Sequence, residues 1–133
     1  MMIRRKIIVY GSVILLVIVL VTVVVELFNP LRRSAEQITE DILELTPIGS
    51  SMEDVIRVIE SKKSWEWSGE VYPFGFLKQP PPPEERTEVG VQSIDVFLGD
   101  YRNIFVTSVT VFWAFDENSV LIDVWVWKDT DTI

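Results

Sequence analysis

The chain has 133 residues, a net charge of −8, and neither cysteine nor histidine. Its length leaves room for one ordinary domain. The absence of cysteine excludes disulfides, thiolate metal sites and cysteine nucleophiles, and the absence of histidine removes the commonest transition-metal ligand and general base. We therefore predict no catalytic residues, no metal site and no small-molecule cofactor.

Charge is distributed unevenly along the chain. Residues 1–33 contain five lysines and arginines and one acid, whereas residues 34–133 contain seven lysines and arginines against nineteen acids, a net charge of −12. An acidic surface repels phosphate backbones and anionic lipid headgroups. This argues against nucleic-acid binding and against a domain that lies flat on a membrane.

The first predicted element is a membrane-spanning helix. No charged residue occurs from Ile7 to Val25, and this stretch makes a helix of roughly 28 Å, close to the thickness of a bilayer's hydrocarbon core. A cleaved signal peptide is the alternative, but the exit VVVELFNP lacks the small residues of a cleavage site. We therefore predict an uncleaved transmembrane anchor over residues 7–28.

The flanking charges predict the orientation of this anchor. Three basic residues precede it and two follow it, namely Arg4, Arg5 and Lys6 before, and Arg32 and Arg33 after. The positive-inside rule therefore favours, by a narrow difference, a cytoplasmic N-terminus over residues 1–6. The protein is then predicted to cross the cell membrane once and to place its C-terminal domain outside the cytoplasm. Its predicted partners are membrane lipid through residues 7–28 and an envelope protein.

Two short helices are predicted after the anchor. Beyond the helix-breaking Asn29-Pro30, apolar residues recur at helical spacing and predict a juxtamembrane amphipathic helix within residues 29–45. These residues are Leu31, Ala35, Ile38, Ile42 and Leu45. Ser50, with Glu53 three residues later, predicts the capping box of a second helix.

The remaining chain has the alternating pattern of strands. An extended piece over residues 65–76 precedes the proline tract QPPPPEERTE, which predicts a rigid loop between strands. Three strands are predicted near residues 92–98, 108–115 and 120–128, with a bend near Thr107 and positive φ at Asn118 in the last hairpin loop. Residues 46–133 are thus predicted to form an extracytoplasmic α+β domain. The two short helices, one within residues 29–45 and one after Ser50, are predicted to pack on one face of a three- to four-stranded antiparallel sheet.

Alternation sorts the strand residues into two faces. We predict that the aliphatic face packs against the helices, because turning the other face inward would bury Asp95 and Asp123. The aliphatic face carries Ile94, Val96, Leu98, Val109, Val111, Trp113, Phe115, Ile122, Val124 and Val126.

The opposite face carries candidate partner-binding residues, since exposed Trp and Phe on a sheet are typical anchors for a protein partner. They are Phe97, Phe112, Trp125 and Trp127. Alternatively, aromatic residues before the proline tract cover this face as a lid, namely Trp65, Trp67, Tyr72, Phe74 and Phe76. Tyr101 and Arg102, in the connection GDYRN, are two further candidate contacts.

Asp95 and Asp123 also allow an enzymatic alternative. Two carboxylates beside aromatic rings suit a hydrolase that acts on an envelope carbohydrate. A solvated position on a strand explains each carboxylate equally well.

Two motifs resemble the SmpA/OmlA (BamE-like) family of small envelope lipoproteins. One is GSSMEDVIRVI, a glycine followed by a capped helix, and the other is the hairpin FWAFDENSVLIDVWV. The resemblance spans Thr46 to Lys128, and it implies two helices on an antiparallel sheet, an envelope location, and a binding or assembly role. The chain differs from that family in lacking the lipidated cysteine, in keeping a membrane helix and in inserting the Pro80–Pro83 arm.

Overall fold

A computed structural model describes residues 2–78 and 86–131. The first helix, α1, runs over Met2–Leu27. Its segment Ile3–Val25 has a mean hydropathy of 3.1 and packs against no other part of the described chain. This helix is long and apolar enough to cross a membrane. The predicted proline arm, Pro80–Pro83, lies outside the described residues.

Two further helices follow, each with a side-chain cap. A 3-10 turn over Pro30–Arg32 is capped by Asn29. Helix α2 (Ala35–Leu45) begins with a capping box between Ser34 and Gln37. Helix α3 (Met52–Ser61) is capped by Ser51, whose hydroxyl accepts a hydrogen bond from the Asp54 N–H. The predicted cap at Ser50 is therefore wrong by one residue, since the Ser50 hydroxyl instead donates to the Pro47 carbonyl.

Two antiparallel sheets complete the fold. Strands β1 (Phe76–Lys78) and β2 (Thr87–Val89) form a small two-stranded sheet, which we call the covering hairpin. Strands β3 (Gln92–Arg102), β4 (Val106–Phe115) and β5 (Leu121–Thr130) form the main sheet in that order. The predicted α+β class, with two short helices on an antiparallel sheet, is confirmed.

The core lies between the helices and the aliphatic face of the main sheet, as alternation predicts. Ile38 and Ile42 of α2 and Val55 and Ile59 of α3 supply the helical side. The sheet supplies its aliphatic residues together with two aromatic rings, and these are Ile94, Val96, Leu98, Val109, Val111, Trp113, Phe115, Leu121, Val124 and Val126.

Ile122 is the one residue of the predicted aliphatic face that does not join this core. It is 42% exposed, whereas Leu121 is fully buried. The register explains the exchange, because Ala114 pairs with Asp123 and the next residue, Phe115, pairs with Leu121. Ile122 is the extra residue of a β-bulge, which inverts the alternation at the start of β5.

The bend predicted near Thr107 and the positive φ predicted at Asn118 occur at other residues. Thr107 continues the ladder and pairs with both Tyr101 and Thr130. The bulge lies on the neighbouring strand, where the register shifts between Phe97 and Gly99. In the last hairpin loop the positive φ occurs at Ser119 instead of Asn118.

Candidate functional site

The face of the main sheet that points away from the helices carries a cluster of aromatic rings. Phe112 of β4 and Trp125 of β5 are directly opposite in the register, and their ring centroids are 5.3 Å apart. Trp127, two residues along β5, meets Trp125 edge-on at 5.1 Å. Phe76 of the covering hairpin adds a fourth ring. We call these four residues the aromatic cluster.

The predicted lid is formed by Phe76, which is 4% exposed. Its ring lies 5.8 Å from that of Phe112 and 5.9 Å from that of Trp125. Trp127 has a single partner among the described rings, Trp125, and it remains partly exposed. Within the described residues, the covering hairpin therefore lies against Phe112 and Trp125, and no ring other than Trp125 lies against Trp127. All three of these side chains are partly exposed.

Trp65 and Trp67 do not belong to the lid. Glu66 exchanges two backbone hydrogen bonds with Phe97, at 2.8 and 3.0 Å, so the chain extends the edge of the main sheet here. Directly paired residues share a face, which places Trp65 and Trp67 on the helical side. Both pack against the core there, with Trp65 6.1 Å from Trp113.

A groove of about 340 Å³ lies between the covering hairpin and the sheet. Its walls are mainly aromatic, and its polar groups are the Asp95 carboxylate and the hydroxyls of Tyr72 and Ser93. Tyr72 and Phe74 stack at one side, with centroids 5.4 Å apart. The Ser93 hydroxyl donates to the Phe74 carbonyl at 2.8 Å and so fixes the wall to β3.

Asp95 determines the electrostatics of the groove. Its negative charge raises the pKa of the Tyr72 phenol. In the described ranges no lysine or arginine forms an ion pair with Asp95. The groove therefore combines apolar walls with one carboxylate, an arrangement that can hold an apolar side chain with a donor or a positive charge at its end.

The second carboxylate of this face occupies a different environment. Asp123 pairs with Lys78 of the covering hairpin at 3.8 Å. Asp95 aligns with Phe112 on one side of β4, and Asp123 aligns with Ala114 on the other side. With ordinary strand spacing and rise, this places their α-carbons about 12 Å apart. The structure does not bring the two carboxylates side by side.

The other predicted contacts lie apart from the aromatic cluster. Phe97 is on the same face, but Thr110 separates it from Trp127 in the register. Tyr101 lies on the helical side and packs against the core. Arg102 is exposed at the end of β3, where its carbonyl accepts a hydrogen bond from Arg32. Of the six predicted contacts, Phe112, Trp125 and Trp127 are brought together.

The sequence pattern placed Phe76 in a possible lid but did not distinguish it from Trp65 and Trp67, and it did not indicate the place of Ser93 in the groove. Gly75 is the local signal for the covering position of Phe76. A β-carbon at this position would lie 2.1 Å from the Val89 carbonyl oxygen, so the absence of a side chain permits the close approach of β1 and β2.

Within the described ranges no group of three or more acidic residues is placed to hold a metal ion. The Asp116 carboxylate accepts hydrogen bonds from the N–H groups of Asn118 and Val120. Its role is to fix the last hairpin loop.

Lys128 fixes the segment that leaves α1 to the main sheet. Its ammonium group donates to the carbonyls of Leu31, at 3.0 Å, and Arg33, and it lies 5.1 Å from the centre of the Tyr101 ring. Arg32 faces the same ring at 5.2 Å. The end of the candidate membrane helix is therefore held against the C-terminal end of β5.

Lys128→Met is expected to loosen this attachment. The variant keeps the length of the side chain but leaves two carbonyls without a charged donor, and we expect a loss of about 1.5 kcal/mol in unfolding free energy. Hydrogen exchange at residues 31–33 of the full chain in detergent micelles, together with urea unfolding, measures the effect. Lys78→Met is the matched control, because Lys78 makes a half-exposed ion pair worth less than about 1 kcal/mol. Equal losses in the two variants would contradict this role of Lys128.

Comparisons with protein-family models, with curated proteins and with solved structures gave no match to this chain.

Proposed function

We propose that this protein is a single-pass, membrane-anchored protein of the cell envelope that binds a protein partner through the Trp127 end of its aromatic cluster. The resemblance of the GSSMEDVIRVI and FWAFDENSVLIDVWV motifs to the SmpA/OmlA family is consistent with a binding or assembly role. Helix α1 serves as the anchor, residues 1–6 lie in the cytoplasm, and the α+β domain lies outside it. The charge distribution around α1 supports this orientation.

One observation supports the binding role above the others. The indole of Trp127 is partly exposed at the end of a ring cluster that is fixed to a paired β-strand. A rigid aromatic side chain loses little conformational freedom on binding, which is why Trp and Tyr dominate the energetics of protein interfaces. The groove at Asp95 lies on the same face and offers a second position for a partner's side chain.

The charge of the domain favours a particular kind of partner. Residues 34–133 carry a net charge of −12, which disfavours association with a second copy of this acidic domain and accelerates association with a basic surface. We therefore propose a partner with a positively charged surface surrounding an apolar pocket.

Trp127→Ala is expected to reduce partner capture by at least about tenfold, as truncation of an interface hot spot does. Because this indole contacts one ring and lies outside the core, the cost to stability should be about 1 kcal/mol. Photocrosslinking from position 97, in intact cells, identifies the partner, and binding of the purified full chain to that protein gives the affinity.

Ile48→Ala serves as the control for this experiment. Ile48 is 55% exposed in the segment between α2 and α3, away from the aromatic cluster. Its truncation removes an exposed apolar group without altering the proposed surface. Unchanged capture by a folded Trp127→Ala chain would refute the assignment of this face, and so would an equal loss in Ile48→Ala.

A further inference from the structure

The loop that joins β3 to β4 exposes apolar side chains that the fold does not use. Ile104 is 89% exposed, more than any other large apolar residue of the described chain, and Phe105 beside it is 40% exposed. The loop is otherwise fixed, since the Asn103 N–H donates to the Phe105 carbonyl at 3.1 Å. An ordered turn that presents two adjacent apolar side chains outward needs an environment that receives them.

The loop lies close to the end of the candidate membrane helix. The Arg32 guanidinium donates to the Asn103 side-chain oxygen at 2.5 Å and to the Arg102 carbonyl at 2.6 Å. Helix α1 ends at Leu27, and Arg32 follows five positions later, a distance of at most about 18 Å even when the chain is extended. The 3-10 turn over Pro30–Arg32 shortens it further. Whatever membrane α1 enters, this loop lies near its surface.

Charged residues of both signs lie around the loop. Arg32 bonds to the loop and Arg102 ends β3, whereas Arg33 pairs with Asp41. Asp100 and Asp131 lie at the same end of the sheet, since Asp100 pairs with Ser108 and the Asp131 N–H donates to the Val106 carbonyl. Arginines that flank an exposed apolar tip match the layering of a bilayer surface, in which anionic phosphates lie outside the acyl chains.

We propose that Ile104 and Phe105 insert into the interfacial layer of the bilayer that α1 spans, with Arg102 and Arg32 at the level of the lipid phosphates. This inference rests on the proposed membrane anchor. Because α1 already holds the loop beside the membrane, a small apolar contact suffices, since its effective concentration at the surface is high. Two attachment points then fix the inclination of the domain, and with it the direction in which the aromatic cluster faces.

The absence of cysteine from the chain makes a site-specific test direct. The full chain carrying Ile104→Cys, labelled with an environment-sensitive fluorophore, is placed in nanodiscs of phosphatidylcholine with a minority of phosphatidylglycerol. Lipids brominated near the glycerol backbone quench fluorophores that enter the interface. We expect quenching at position 104 to exceed that at Asn118→Cys, in the hairpin loop at the opposite end of the sheet, by about threefold.

A third labelled chain, Leu16→Cys in the middle of α1, separates failure of this inference from failure of the anchor. With lipids brominated at the chain ends, Leu16 should be strongly quenched. If Leu16 is quenched while Ile104 matches Asn118, the loop lies in water and the inference is overturned although the anchor stands. If Leu16 is not quenched, the anchor itself is overturned.

A second variant excludes an effect of the fluorophore alone. Adding Phe105→Ser to the labelled Ile104→Cys chain removes the neighbouring apolar side chain, and we expect quenching to fall by about half. Unchanged quenching would show that the fluorophore carries the loop into the lipid, and this too would overturn the inference.

Discussion

Trp113→Ala is expected to lower the free energy of unfolding by about 3–5 kcal/mol, the cost of removing a large aromatic ring from a well-packed core. Trp113 has no exposed surface, occupies the central strand β4 and packs against Trp65. Its indole N–H donates to the Thr46 hydroxyl at 3.0 Å, and that hydroxyl donates to the Ile42 carbonyl. The ring therefore links the sheet to the end of α2 as well as filling the core.

Such a loss is a large share of the stability of a domain of this size, which is about 5–15 kcal/mol. Urea unfolding of the full chain in detergent micelles, followed by far-ultraviolet circular dichroism, measures it without relying on the tryptophan that is removed. Trp127→Ala is the matched control, since it makes the same substitution on the opposite face and should cost about 1 kcal/mol. Equal losses at the two positions would contradict the assignment of the two faces.

The division of these tryptophans between faces follows from strand alternation alone. On β4, Trp113 alternates in step with Val109 and Val111 and so shares their face. Phe112 lies between Val111 and Trp113 and points to the opposite face. Since successive side chains of a strand point in opposite directions, burial of the valines decides the direction of both rings. This part of the fold could be predicted because it depends on one local rule and on the cost of burying Asp95 and Asp123.

The predictions that were wrong concern parts of the fold that depend on contacts between distant segments of the chain. Leu121 and Ile122 are both apolar, so nothing local indicates which enters the core, and the bulge opposite Phe115 decides it. The direction of Trp65 likewise depends on the pairing of Glu66 with Phe97, thirty-one positions further along the chain. Alternation within a strand does not set the register between strands.

Part of the candidate site could likewise be predicted from the sequence. Phe112, Trp125 and Trp127 come together because a short hairpin loop connects β4 to β5 and aligns Phe112 with Trp125. The covering hairpin could not be placed from the sequence, because its path over the sheet depends on the close approach at Gly75. Whether a sheet face is exposed or covered depends on the path of the segment that crosses it, and the residue pattern of the strands does not reveal that path.

Gly75→Ala is therefore expected to open the covering hairpin. The new β-carbon would lie 2.1 Å from the Val89 carbonyl oxygen and 2.3 Å from that of Gly90, both of which are backbone atoms that cannot rotate away. The hairpin must separate from its present position, and the burial of Phe76, worth about 1.5–3 kcal/mol, is lost with it. Phe112 and Trp125 then become exposed, so tryptophan emission should shift to longer wavelength and amide exchange should accelerate at residues 76–78 and 87–89.

Gly69→Ala controls for the general effect of adding a methyl group to a loop glycine. No atom lies within 4 Å of its added β-carbon, but its φ of +86° makes the substitution costly by about 1 kcal/mol. This variant should lose some stability while keeping the emission of Trp125 and the slow exchange of the hairpin, because Phe76 stays in contact with both Phe112 and Trp125. If Gly75→Ala also keeps the emission of Trp125 and the slow exchange, the close approach of Gly75 to Val89 does not hold the hairpin in place. Some other contact would then cover the aromatic cluster.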